Sequence, residues 1–333
     1  MHPMIKLTPG KLAGLKAVSD HRGVIAAAAM DQRGSLQKSL AKERGAAADA
    51  HDLEEFKTLV TSVLTKHASA ILLDPEFGLP ASKHRNGKGL LLAYEKTGYD
   101  ATTPGRLPDL LDVWSVRRLK EAGADCIKIL LYYTPYEKTS VNDLKQAWIE
   151  RIGAECVAHD IPFFLEFVGY DAEGGDEKSV AYAKKKPEIV SGSMAEFGKA
   201  HYNVDVLKVE VPIEMAFVEG TKAFKGEKAY TRKEALQHFR DAATMTHKPF
   251  IYLSAGVSNP VFIETLELAV ESGTTFNGVL CGRATWTDGI AIYAKQGAKA
   301  FEDWLNTTGV ENITNVNNAL KSAHSWHSKV ESK

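Results

Sequence analysis

"VDVLKVEVPIE" (204–214) places two charges inside what otherwise reads as a buried strand. Val204, Val206, Leu207, Val209 and Val211 form the apolar frame, and Lys208 and Glu210 interrupt it. Charged side chains are rarely buried unless they are paired or used. Successive strand residues point to opposite faces, so Lys208 and Glu210 share one face. In a parallel barrel strand both faces are covered, one by helices and one by the barrel interior. A charge on the helix side would be trapped under an apolar layer, so the interior is the cheaper place for this pair.

The rest of the chain carries the same kind of run. Apolar stretches lie near 23–32, 69–78, 89–97, 125–133, 162–170, 204–212, 249–256 and 276–285. They are near-continuous rather than alternating, as expected of parallel strands buried on both faces. Helical patterns fall between most of them. "LPDLLDVWSVRRLKEAGAD" (107–125) has helical spacing with Gly123 as a stop, and 140–161 repeats the pattern. In 258–273, Ser258 or Asn259 is placed to cap, Pro260 falls in the first turn, and Gly273 ends the helix. Only "LPASKHRNGK" (79–88) joins the second and third runs, which is short for a crossover helix. Strands alternating with helices over this length predict a (β/α)8 barrel, α/β in class, as one domain over 1–333. An open doubly wound sheet is the alternative, but no GxGxxG follows the first run: "MDQRGSL" (30–36) is neither that fingerprint nor a P-loop. The first ~20 residues are expected to form a helix capping the barrel bottom. The tail from about 306 is expected to be a short helical addition with an exposed end. The polar "DAEGGDEKS" (171–179) reads as a surface loop.

Composition narrows the function classes. The formal net charge of −1 gives no electrostatic case for nucleic acid or anionic membranes. Cys126, Cys156 and Cys281 form no CxxC pair and read as small core residues in a reducing compartment. No secretory h-region and no apolar run near the ~20 residues of a bilayer span is present, so a cytoplasmic protein is expected. The eleven histidines form neither HxH nor HExxH, so no metal site and no cofactor are expected.

Barrel active sites are built at the C-terminal ends of the strands, and polar residues gather there. Asp31 and Gln32 close the first run, Asp74 and Glu76 the second, and Glu95 and Lys96 the third. Lys128, Glu166 and Lys208 lie inside the fourth, fifth and sixth; Ser254 follows Leu253 at the end of the seventh, and Arg283 closes the eighth. Bland readings exist for each: a terminal aspartate such as Asp31 can simply cap a turn, and rim carboxylates can form surface ion pairs. Two lysines and at least two carboxylates converging in one barrel nevertheless fit a definite chemistry. A lysine must be neutral to attack a carbonyl, and a free one with pKa about 10.4 is neutral roughly once in a few thousand at pH 7. Burial or a second ammonium lowers that barrier. The resulting Schiff base is an electron sink for cleavage of the adjacent C–C bond, and a carboxylate such as Glu166 can move the protons. The glycine-containing loops "LSAGVSNP" (253–260) and "LCGRATW" (280–286) follow the last two strands, the usual phosphate-binding place in this fold. The halves together point to an enzyme acting on a phosphorylated ketone.

Several long segments, in order, resemble the class I tagatose 1,6-bisphosphate aldolases: "IAAAAMDQRGSL", "RRLKEAGADCIKILLYY", "ERIGAECVAHDIPFFLEF", "VDVLKVEVPIEMAFVEG", "IYLSAGVS" and "FNGVLCGRATW". The resemblance runs from about residue 10 to about residue 310. It implies Lys208 as the Schiff-base lysine, Glu166 as the proton shuttle, and Lys128 and Asp31 as groups that hold substrate hydroxyls and tune Lys208. It further implies Gln32, Leu253, Ser254, Gly256, Gly282 and Arg283 around substrate and phosphate. The implied reaction is reversible cleavage of D-tagatose 1,6-bisphosphate to dihydroxyacetone phosphate and D-glyceraldehyde 3-phosphate. The same chemistry on fructose 1,6-bisphosphate or sulfofructose phosphate, and a non-catalytic phosphosugar-binding regulator, stay open, as does a homodimer.

Overall fold

All eight apolar runs contain a strand in the computed structural model, which describes residues 4–96 and 104–331. They are β1 (Ile25–Met30), β2 (Ala70–Leu73), β3 (Gly89–Ala93) and β4 (Cys126–Tyr132). They continue with β5 (Phe163–Val168), β6 (Val206–Val209), β7 (Phe250–Leu253) and β8 (Gly278–Cys281). Each strand pairs in parallel with its sequence neighbours, and β8 returns to pair with β1, closing the barrel. The strands are shorter than the apolar runs because pairing stops where the chain turns toward the rim. Residue 97, at the end of the third expected span, lies outside the described residues, as do residues 1–3.

Alternation sorts the strand side chains into two cores. Ile25, Ala27, Ala29, Leu72, Leu91, Phe164, Val206, Ile251 and Leu280 fill the barrel interior. Their neighbours, among them Ile71, Leu92, Ile129, Leu165 and Leu207, pack outward under the helices. Small alanines on β1 leave room for the larger Phe164 and Ile251, the interdigitation expected of a filled barrel.

The helices are α1 (Pro9–Ala17), α2 (Gly34–Arg44), α3 (Ala50–Leu64), α4 (Val116–Glu121) and α5 (Thr139–Ala158). After them come α6 (Val180–Phe197), α7 (Arg232–Thr244), α8 (Asn259–Glu271), α9 (Gly289–Trp304) and α10 (Val310–Ala319). The short link between β2 and β3 holds only one helical turn, Leu79–Ser82, packed against α3. Two helices, α2 and α3, precede β2, so this sector is covered without a full crossover helix.

Two expectations are corrected. The segment 107–125 is helical only over α4: Ser115 caps it by accepting a hydrogen bond from the Arg118 N–H, and the stretch before it carries Leu110 in an antiparallel bridge to Glu95. Pro108 and the Ser115 cap start the helix late. The tail is also more than the helical addition expected, although Glu331, its last described residue, is exposed. Beyond α10 it runs under the barrel, where Val330 and Glu331 pair in parallel with Ile5 and Lys6. Trp326 is fully buried, and with Val330 and the α1 and post-α1 residues Leu15 and Val18 it plugs the interior from below. Placement of α1 at the bottom agrees with expectation. All three cysteines are buried: Cys126 in the interior, Cys156 and Cys281 in the outer layer.

Candidate active site

At the C-terminal end of the barrel the interior opens into a cavity of about 510 Å³. Continuing the inward alternation of Leu91 and Ala93, of Phe164, and of Val206 brings Glu95, Glu166 and Lys208 to its floor, and β4 contributes Lys128. Lys128 is wholly buried, with Nζ 2.8 Å from Asp31 Oδ2, 2.6 Å from Glu95 Oε1 and 3.0 Å from Glu166 Oε2. Lys208 Nζ lies 2.8 Å from the same Glu166 Oε2. One carboxylate oxygen thus stands between two ammonium groups, on adjacent strands paired at Glu166 and Lys208.

Charge settles unevenly over this set. Burial works against the charge on Lys128, but Asp31, Glu166 and Glu95 outweigh it and hold its ammonium well above the ordinary lysine range. Burial likewise opposes ionisation of Asp31 and Glu166, and in both Lys128 and Lys208 overcome it, so both carboxyls are held below their usual range. Glu95 goes the other way: burial raises its pKa despite Lys128 and Arg33. The site therefore pairs a permanent cation, Lys128, with firmly ionised Asp31 and Glu166.

Outside the pocket, a second buried ion pair aims the loop after β1. Lys57 of α3 donates to the carbonyls of Met30 and Gln32, 2.7 Å each, and pairs with Asp74 at 2.5 Å. Burial lowers the Lys57 pKa, and Asp74 opposes that. Arg33 then leans across the rim, donating to the Glu95 carbonyl at 2.6 Å and pairing with Glu76.

The expected phosphate side also assembles. Gln32, Leu253, Ser254, Gly282 and Arg283 line the cavity. Gly256 stands behind Arg283: a Cβ there would meet the guanidinium carbon at 2.8 Å. Ala255 and Gly256 both have positive φ, 49° and 75°, an arrangement costly for alanine and typical of loops that hold a ligand. Arg283 is exposed and pairs with no carboxylate among the described residues.

Every residue that the resemblance assigns to the site lines the cavity except Gly256, which backs it. Three expectations change. Asp74 points away to Lys57 and Glu76 is taken by Arg33, so neither joins the pocket. Glu210 does line the pocket, but its partners are the Gly169 N–H at 2.7 Å and Lys186 of α6 at 3.6 Å, not an interior charge. Glu95, left at the rim by sequence reasoning, is a buried ligand of Lys128. Its signal was present, because Leu91, Ala93 and Glu95 keep one period-two register. Among the described residues no cluster of three His, Cys, Asp or Glu could hold a metal ion, and no helix is long and apolar enough to cross a membrane.

Comparison with known proteins gives the family and the fold. A family model described as DeoC/LacD family aldolase matches residues 25–288. Tagatose 1,6-diphosphate aldolase 2 of Enterococcus faecalis is 54% identical over 330 residues, covering 98% of this chain and 99% of that protein. The tagatose 1,6-diphosphate aldolase of Staphylococcus haemolyticus is 53% identical over 321 residues, covering 96% and 98%. That of Listeria monocytogenes serotype 4a is 52% identical over 328 residues, covering 98% and 96%. A solved fructose-bisphosphate aldolase from Plasmodium falciparum superposes with a TM-score of 0.67 at 14% identity, covering 100% of this chain and 99% of that one, a likeness of fold.

Proposed function

The chain belongs to the DeoC/LacD family of aldolases and is a carbon–carbon lyase, and from that premise we propose that it cleaves D-tagatose 1,6-bisphosphate through a Schiff base on Lys208. The observation that carries the reading is the Glu166 carboxylate oxygen within 3.0 Å of both buried lysines.

In this reading Glu166 takes the proton Lys208 must lose before its Nζ attacks the C2 carbonyl, and returns one to the carbinolamine oxygen as water leaves. The iminium so formed draws the electrons of the C3–C4 bond. Removal of the C4 hydroxyl proton by Glu166 breaks that bond, leaving D-glyceraldehyde 3-phosphate and an enamine on Lys208. Protonation at C3 and hydrolysis release dihydroxyacetone phosphate. Lys128 keeps its charge throughout, holding Asp31 and Glu166 in place and stabilising negative charge on substrate oxygens. The C1 phosphate meets Arg283, Ser254, Gln32 and the backbone around Gly256 and Gly282, with Leu253 beneath. The second phosphate faces Lys38 and the start of α2 at Gly34 and Ser35, which line the same cavity.

Borohydride added with dihydroxyacetone phosphate is expected to leave a reduced adduct on Lys208, found by peptide mass mapping. An adduct on another residue, or activity lost to chelators, would sink the proposal. Cleavage rates across the epimeric ketose bisphosphates and sulfofructose phosphate identify the preferred substrate, with the tagatose epimer expected to be cleaved readily.

A further inference from the structure

Glu95 holds an oxygen that the reaction just described does not use. Its Oε1 binds Lys128 at 2.6 Å, while Oε2 is buried and has no hydrogen-bond partner. The residue lines the substrate cavity and is only 4% exposed. A buried carboxylate oxygen without a donor is costly, and in a residue that lines a binding cavity it calls for a functional explanation. Its position is also held independently of Lys128. Arg33 grips its carbonyl from the loop after β1, and Leu110 bridges to it from the segment beyond β3.

The direction of the substrate follows from the ring. With β1 to β8 in order around the barrel, β3 stands opposite β7. The C1 phosphate lies on the β7 and β8 loops and C2 lies at Lys208 on β6. Carbons beyond C3 must then cross toward the opposite wall, where Glu95 stands. Resting on the proposed Schiff-base reading, we propose that Glu95 is a specificity-determining residue whose Oε2 binds a hydroxyl of the aldehyde-derived half of the substrate, C4 to C6. Glu166 serves the bond-breaking end of the molecule, and Glu95 recognises what departs.

Two rates on one preparation test this. Exchange of the C3 hydrogen of dihydroxyacetone phosphate with deuterated solvent uses only the half of the substrate bound to Lys208. Cleavage of tagatose 1,6-bisphosphate uses both halves. For Glu95→Gln, kcat/KM for cleavage is expected to fall about 10- to 100-fold, the scale of a hydrogen bond to a charged group. Exchange should fall far less. Glu95→Asp keeps the charge and the pairing chemistry, and should skew the two rates in the same direction by a smaller factor. It decides the matter if Glu95→Gln does not fold. Equal losses in both rates would mean that Glu95 merely supports Lys128 and would overturn the proposal, as would unchanged cleavage. Absence of a borohydride adduct on Lys208 in the unsubstituted enzyme would instead overturn the reading on which it rests.

Discussion

Lys128 is bound by three carboxylates and Lys208 by one, and that inequality divides their work. A cation so enclosed is a fixture. Replacing it with methionine strands Asp31 and Glu95 without their ion partner and leaves Glu166 with Lys208 alone, and breaking a buried ion pair in this way costs about 3–5 kcal/mol. Lys128→Met should therefore lower the denaturant midpoint sharply as well as abolish cleavage. Lys208→Met removes one ammonium from one carboxylate, so it should abolish cleavage with a much smaller stability loss, and urea titrations of the two variants check the contrast. The inward charges were legible in the sequence because apolar residues frame them closely, as in "FFLEF" and "VLKVEV". Glu95 was harder to read, since it stands two residues past the last ladder residue of its strand and looks like rim. The partner of Glu210 was not legible. Lys186 lies on a helix, and no local pattern announces which helix side chain will reach over a strand end.

Elements around β1 and β2 show how support is built without a standard crossover. Helix α3 supplies Lys57 to the end of β1 and packs against the single turn that replaces a helix after β2. It begins with a capping box in which Asp49 accepts from the Asp52 N–H and Asp52 accepts from the Asp49 N–H. Asp49→Ala should cost about 1 kcal/mol, read from the urea midpoint. Asp52 also binds Arg44 of α2 through two hydrogen bonds of 2.7 Å, and these hold its carboxyl down at about 2. A carboxyl lowered on folding stabilises the native state above its unfolded value, about 3.9, and loses that contribution as pH falls through the folded one. The stability gap between the unsubstituted protein and Asp52→Asn should thus be full at pH 6 and shrink between about pH 4 and pH 2. Helical periodicity misjudged 107–125 for a related reason. Spacing registers which residues are apolar but not that Ser115 starts the helix there, and Leu110 instead follows the chain beyond β3.

On the scale of the whole molecule, chemistry and closure occupy opposite ends of one barrel. Trp326 donates from its indole to Ser19 Oγ at 2.7 Å and from its backbone to the Gly23 carbonyl, tying the tail to the segment that enters β1. Trp326→Ala should cost about 3–5 kcal/mol, the usual range for a buried aromatic cut to alanine. The folded fraction should keep its kcat/KM, because nothing at the cavity touches this residue; thermal melts and assays below the transition check both parts. The helical part of the tail was legible, but the stretch beyond α10 was not, because it is polar and short, and its value lies in what it covers.

The burial of every cysteine gives this molecule a built-in clock. Burial pushes all three thiols up, Cys281 to about 12, so none presents a thiolate to an alkylating reagent while the barrel is intact. Labelling then records openings rather than surface chemistry, and each thiol keeps time for its own layer. Cys126 reports on the interior above the Trp326 plug, Cys156 on the helix shell, and Cys281 on the seam where β8 rejoins β1. If the three react in step under mild denaturant, the barrel opens as one unit; if Cys281 leads, the ring unzips at the seam.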